Sequence, residues 1–295
     1  MANGVTVNGQ RLRWEEFFDF VEQSGHDTGN NELEDYRREN AVVTPDGCLH
    51  LRLVPVGHGR YHSGKVRSKR SISEMAPGGG RMRVVVQGPL AKDCRALPAL
   101  PRGLWPAIWL LPNGPGWPMG GEVDLYESMV FEHTQGHVAT GFSTLHFGAA
   151  VNKDAMYTDR RTGKRHWGLE MGERYAWDTT CFHTLDFQWE RVESAWRCSF
   201  TVDGKHIWTF TTTRQDAFAD FEKDKDFHAD RPAAFAPGAL GDPAAVFQRA
   251  LENVESKGLH LICNLAFGGT PFHVVDHFEG ATLVVKCVEV HASEP

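Results

Sequence analysis

The sequence predicts an all-β fold, one domain of two packed antiparallel sheets. Three observations predict it. Apolar residues recur with period 2 through most of the chain, Asp-Gly turns punctuate those runs, and long helical periodicity is missing. The 295 residues, 41% of them hydrophobic and 11% aromatic, suffice for one large domain with a proper core. No internal repeat and no low-complexity linker divides the chain, so residues 1–295 read as a single domain.

The elements follow in order. Residues 41–44 form a short strand, and Pro45-Asp46-Gly47 turns the chain back into residues 48–54 (CLHLRLV), where Leu49, Leu51 and Leu53 take one face and His50 and Arg52 the other. Residues 103–112 (GLWPAIWLLP) are among the most apolar of the chain. Further on, Leu185, Phe187 and Trp189 alternate with Asp186, Gln188 and Glu190. Trp196, Cys198, Phe200 and Val202 repeat the device before Asp203-Gly204, which leads straight into HIWTFTTT; this is a hairpin. Residues 259–267 (LHLICNLAF), nearly continuous in apolar side chains, suit the middle of a sandwich, and residues 282–290 (TLVVKCVEV) add a last strand. Residues 214–258 break the pattern. Charged and then rich in Ala and Pro, they read as an inserted lobe or long loop with one short helix over 243–254.

Composition narrows the function. A net charge of −7 leaves no basic footprint, so nucleic acid is not expected as a partner. No run approaches the roughly 18 apolar residues of a membrane span, so no membrane partner is expected either. The start MANGVTVNGQRLRW lacks the pattern of a secretory leader, which predicts a chain that is intracellular or has had its leader removed. Cys48, Cys94, Cys181, Cys198, Cys263 and Cys287 show no CxxC spacing, and those in strand-like runs read as reduced core thiols.

Residues 117–128 read WPMGGEVDLYES and crowd Glu122, Asp124 and Glu127 together directly after that apolar run. In a strand Glu122 and Asp124 share a face, whereas Glu127 by parity points the other way. One extra residue, a β-bulge between Asp124 and Glu127, would bring all three to one surface. Two carboxyl groups about 5–5.5 Å apart are what a retaining glycosidase needs, one as nucleophile and one as acid/base. Asp124 between them can share a proton with the nucleophile. Trp105, Trp109 and Trp117 supply flat faces on which sugar rings stack. Trp105 and Trp109 share parity, so one of them is as readily core as cleft. The competing readings are a solvated acidic strand and a Ca²⁺ site, but Val123, Leu125 and Tyr126 are strand formers, not the turn residues of a Ca²⁺ loop.

These residues resemble glycoside hydrolase family 16, in its laminarinase (endo-β-1,3-glucanase) branch, and the resemblance implies that the two sheets form a β-jelly-roll sandwich with a concave substrate cleft. GNNELEDYRRENAVV, YHSGKVRSK, GLWPAIWLLP, WPMGGEVDLYE, STLHFG, CFHTLDFQW, FTVDGK and LICNLAFGGT follow in the family's order. The ExDxxE spacing resembles the bulged form of laminarinases, agarases and carrageenases. The resemblance implies Glu122 as nucleophile, Asp124 as its electrostatic assistant and Glu127 as general acid/base. It implies Trp117 as the stacking platform at the cleaved bond, His146 as a polar contact near the leaving group, and Trp105, Asn31 and Arg81 as sugar contacts before the cleavage point. On its own, His146 is one of fifteen histidines and reads as readily as a satisfied polar group.

The chain departs from the family at several places. A structural Ca²⁺, bound elsewhere in the family through an Asp in the last strand, is not expected where Lys286 stands, and no cofactor or catalytic metal is expected. The family's G-R-F-E-A-R strand is here GRMRVVVQ, which keeps Arg81 alone, and the aromatic usual after the paired glycines gives way to Thr270-Pro271-Phe272. The implied protein is a monomeric hydrolase of β-glucan polysaccharide or oligosaccharide. Its rivals are a transglycosylase and a non-catalytic glucan-binding protein of the same fold. A polysaccharide target points to an extracellular or secretory location, against the free thiols and the missing leader.

Overall fold

Each strand has one apolar and one polar face, and stacking the apolar faces gives two sheets with the core between them. The computed structural model describes residues 3–114, 116–118, 120–132, 134, 136–146, 157–159, 164–166, 175–192, 195–211, 258–270, 272 and 275–293. Thirteen of its strands are labelled here: β1 (Phe18–Phe20), β2 (Leu49–Gly57), β3 (Lys65–Ser68), β4 (Gly79–Ala91), β5 (Leu104–Pro112), β6 (Glu122–Glu127), β7 (Val138–His146), β8 (Tyr175–Asp178), β9 (Phe182–Val192), β10 (Ala195–Val202), β11 (Lys205–Thr211), β12 (Leu259–Phe267) and β13 (Ala281–Ala292).

A seven-stranded sheet runs β8-β7-β6-β5-β12-β3-β1. A twelve-stranded sheet is built on β11-β10-β9-β4-β13-β2 and extended by shorter strands. This is the expected jelly-roll sandwich, with two short exceptions to the antiparallel rule: Gly4–Val7 pairs parallel with β13, and Glu34–Tyr36 pairs parallel with Arg60–Ser63. Leu49, Leu51, Leu53, Met82, Val84, Val86, Leu283 and Val285 of one sheet meet Ile108, Leu110, Val123, Leu125, Leu261, Cys263 and Leu265 of the other in a single core. All nine residues of β12 are buried, because its polar face is covered as well.

Asp203 and Gly204 both take positive φ (51° and 76°) and close the β10–β11 hairpin, with Val202 opposite Lys205. That backbone twist matches the twist of the strands it joins, which is why Asp-Gly was legible as a turn. All six cysteines are free thiols. Lys286, at the place where the resemblance puts a calcium-binding Asp, carries its ammonium over the Phe182 ring at 5.0 Å. Apart from Gly258, the insertion at 214–258 and the helix expected over 243–254 lie outside the described residues.

Replacing Gly204 with Val forces a β-branched side chain into the left-handed region and is expected to lower stability by about 1–2 kcal/mol. The urea midpoint should fall with the slope unchanged; a midpoint that does not move would contradict this account of the turn.

Candidate active site

The site begins with a mismatch in pairing. Across β5, Glu127 faces Ala107, Tyr126 faces Ile108 and Asp124 faces Trp109, which leaves Leu125 without an opposite number. Across β7, Asp124 faces Thr144 and Glu127 faces Phe142. This is the bulge expected from parity. It sends Val123, Leu125 and Tyr126 into the core and turns Glu122, Asp124 and Glu127 to the opposite face of the sheet.

A bulge leaves carbonyls without their ladder partners, and here buried side chains take over. The Tyr175 hydroxyl donates to the Leu125 carbonyl at 3.1 Å, and the Ser143 hydroxyl donates to the Asp124 carbonyl. Ser143 is itself held by the Trp208 indole N–H at 2.9 Å, so the far sheet braces the acid strand. Gly141 makes room for the Tyr175 ring: a Cβ there would lie 2.4 Å from it. Below, Tyr126 stacks on Trp177 with centroids 3.8 Å apart.

Asp124 is 3% and Glu127 9% exposed, so mutual repulsion of the acids is poorly screened by water. Burial and the charge of Asp124 push the Glu127 carboxyl up to about 8, while His146 and the Trp105 indole N–H, which donates to Glu127 Oε1 at 2.9 Å, pull the other way. Glu122 is also raised well above the usual carboxylate range, by burial first and then by Asp124. Against that, His146 and a hydrogen bond from Trp117 favour its ionised form. His146 Nε2 lies 3.1 Å from Asp124 Oδ2 and 3.9 Å from Glu122 Oε1.

Of the residues singled out in the sequence for the site, all but Arg81 stand on this face or its rim. Trp117 is 37% exposed, outside the core, with its ring 5.7 Å from that of His146. Trp105 reaches Glu127, and exposed Asn31, at φ 54°, donates to Thr270 Oγ1 at 3.3 Å beside the end of β12. Arg81 is the exception and a correction. It projects from β4 of the other sheet, next to core-facing Met82, and forks onto Asp186 with two 2.8 Å bonds. The outer face of the twelve-stranded sheet is therefore its place, and it is not beside the acids.

Neither Trp105 nor Trp109 is core; both lie on the acid face. Trp109 donates to Asn264 Oδ1 at 2.7 Å, and Asn264 donates to the Tyr36 hydroxyl at 3.1 Å. The Lys65 ammonium sits over the Tyr36 and Trp109 rings at 4.9 and 5.8 Å. Sequence reasoning missed Lys65 and Asn264 as neighbours of the site. The signal for Asn264 was present as the one amide inside an otherwise apolar strand. Among the described residues, Glu122, Asp124 and His146 are the group whose ligand atoms, all within 4.8 Å of one another, could hold a metal ion.

No family model matches the chain. It is 26% identical over 284 residues to glucan endo-1,3-beta-glucosidase A1 of Niallia circulans, a match covering 90% of this chain and 33% of that protein. The endo-1,3-beta-glucanase from Streptomyces sioyaensis superposes with a TM-score of 0.62 at 20% identity, over 99% of this chain and 94% of that one. The laminarinase from Flavobacterium sp. UMI-01 gives 0.58 at 19% identity, over 96% of each chain. The chain shares the fold of that endo-1,3-beta-glucanase and that laminarinase. The chain spans about a third of the length of the curated relatives it matches first.

Within this laminarinase fold the brace on the bulge is directly testable. Tyr175→Phe leaves the Leu125 carbonyl buried without its donor and is expected to cost about 1–3 kcal/mol of stability. Equal urea midpoints for the two proteins would show that the hydroxyl does not hold the bulge.

Proposed function

We propose that the chain is a retaining, endo-acting glycoside hydrolase that cleaves β-1,3 bonds in laminarin-like glucan by double displacement. The observation that carries this reading is the bulge at Leu125, which gathers three acids on one face and gives each outer glutamate its own indole donor. Glu122, with His146 Nε2 at 3.9 Å and the Trp117 N–H as a donor, is the nucleophile, the role that its place in the motif implies. Glu127, held protonated near neutrality by burial, is the acid.

In the first step a Glu122 oxygen bonds to the anomeric carbon as the glycosidic C–O bond breaks. The released electron pair stays on the departing oxygen, which takes the Glu127 proton. In the second step water attacks the same carbon and gives its proton to Glu127, and the ester bond breaks to restore the Glu122 carboxylate. Asp124 stays between them, with His146 at 3.1 Å, and its charge resists simultaneous ionisation of both glutamates. Glu122 supplies the nucleophile and Glu127 gives and takes back the proton, so the proposal requires no cofactor or metal. A polysaccharide substrate fits work outside the cytoplasm. Among the described residues no helix is long and apolar enough to cross a membrane.

Glu122→Gln should abolish release of reducing ends from laminarin while leaving the thermal midpoint near that of the wild type; surviving hydrolysis would refute the assignment. Because the acid must carry its proton, kcat/KM should fall as pH rises through about 8, where Glu127 ionises. Trp105→Phe removes a donor that favours the carboxylate, so Glu127 should hold its proton to higher pH and the alkaline limb should move upward. A limb that stays in place or moves down would contradict the role of Glu127.

A further inference from the structure

The double displacement leaves one aromatic cluster unused. Phe131, four residues beyond β6, is 52% exposed, the most exposed of the large apolar side chains among the described residues. Its ring lies 5.1 Å from that of Phe272, which in turn makes an edge contact with Trp105 at 6.1 Å. Trp105 is the residue whose indole N–H reaches Glu127. An apolar surface therefore leads without a break from the acid to solvent.

Single exposed apolar residues are ordinary on protein surfaces, but this pair is contiguous with the site. Phe182, also exposed at 41%, stands on the other sheet under the Lys286 ammonium and shows no such continuity. The two phenylalanines are also held in place. Gly103 N–H donates to Val130 O at 2.9 Å and Val130 N–H to Leu104 O at 3.1 Å, prolonging the β5–β6 pairing up to Phe131. Gly268 N–H donates to Gly103 O at 2.8 Å and Phe272 N–H to Gly269 O at 3.0 Å, which fixes the second ring against the same glycine segment. Asn31 and Thr270, in contact at 3.3 Å, stand at the same end of β12 and offer polar atoms to hydroxyl groups. Flat apolar surface with a few fixed polar groups suits a pyranose ring, apolar on its faces and hydroxylated around its edge.

We propose that Phe131 and Phe272 form a second sugar-stacking platform, which binds a glucosyl unit of the same β-glucan chain outside the one being cleaved and so sets a preference for longer oligosaccharides. This rests on the glucanase reading and deepens it by assigning two specificity-determining residues. Opposite ends of the acid strand then carry a platform each, Trp117 beside Glu122 and the phenylalanine pair beyond Glu127.

Calorimetric titration of full-length Glu122→Gln protein with laminarihexaose and laminaritriose tests it without turnover. Adding Phe131→Ala or Phe272→Ala should weaken hexaose binding by about five- to tenfold and shrink the hexaose-over-triose preference. Phe131→Trp in the same background should keep the affinity. Because Phe131 is exposed, its Ala variant tests the contact even if Phe272→Ala disturbs the fold. Hexaose affinity within twofold of the parent in Phe131→Ala, or no hexaose binding by the parent, overturns the platform. Wild-type protein that binds hexaose through these rings yet releases no reducing ends from laminarin overturns the hydrolase reading alone and leaves the platform standing.

Discussion

The two-against-one pairing at Leu125 is the constraint on which the site depends. Without it Glu127 would follow Val123 and Leu125 in the ordinary alternation and a carboxyl would point into the core. With it three acids share a face and the ladder is interrupted. The hydroxyls of Tyr175 and Ser143 donate to the Leu125 and Asp124 carbonyls there, and Ser143 is set in turn by Trp208 from the opposite sheet. The chemistry of one strand is thus fixed by residues of both sheets, and the sandwich acts as a brace for a single local irregularity.

The same burial that makes the site costly makes it reactive. Glu122, Asp124 and Glu127 repel one another where water screens them little, and the response is to hold protons on the two glutamates. His146 favours charge on both, and each has one indole donor, Trp117 for Glu122 and Trp105 for Glu127. The proposed double displacement draws a nucleophile and an acid from identical side chains that differ in their contacts, with His146 Nε2 3.9 Å from Glu122.

Much of this was legible in the sequence, for physical reasons specific to each element. Period-2 alternation gave the strands because one face of each is buried, and the Asp203-Gly204 turn was legible because few residue pairs accept two positive φ values. The bulge followed from counting: acids at 122, 124 and 127 of one strand cannot share a face unless one residue is extra. Arg81 was misplaced because position in a motif does not determine which sheet a strand joins, and β4 joins the sheet that lacks the acids. Lys65, Asn264 and Phe131 escaped notice because their significance lies in cross-strand neighbours and loop contacts far away in sequence. Trp105 and Trp109 could not be separated by parity, and both proved to be on the same side, occupied by Glu127 and Asn264.

The division of labour between the two glutamates is tested most directly by azide rescue, with the anomeric form of the product read by NMR. Azide added to Glu127→Ala should restore turnover of an activated β-glucoside and yield the β-glycosyl azide, because it attacks an ester still formed on Glu122. Azide added to Glu122→Ala should yield the α-azide by direct displacement. The reverse pattern of anomers would contradict the assignment of nucleophile and acid on which the account rests.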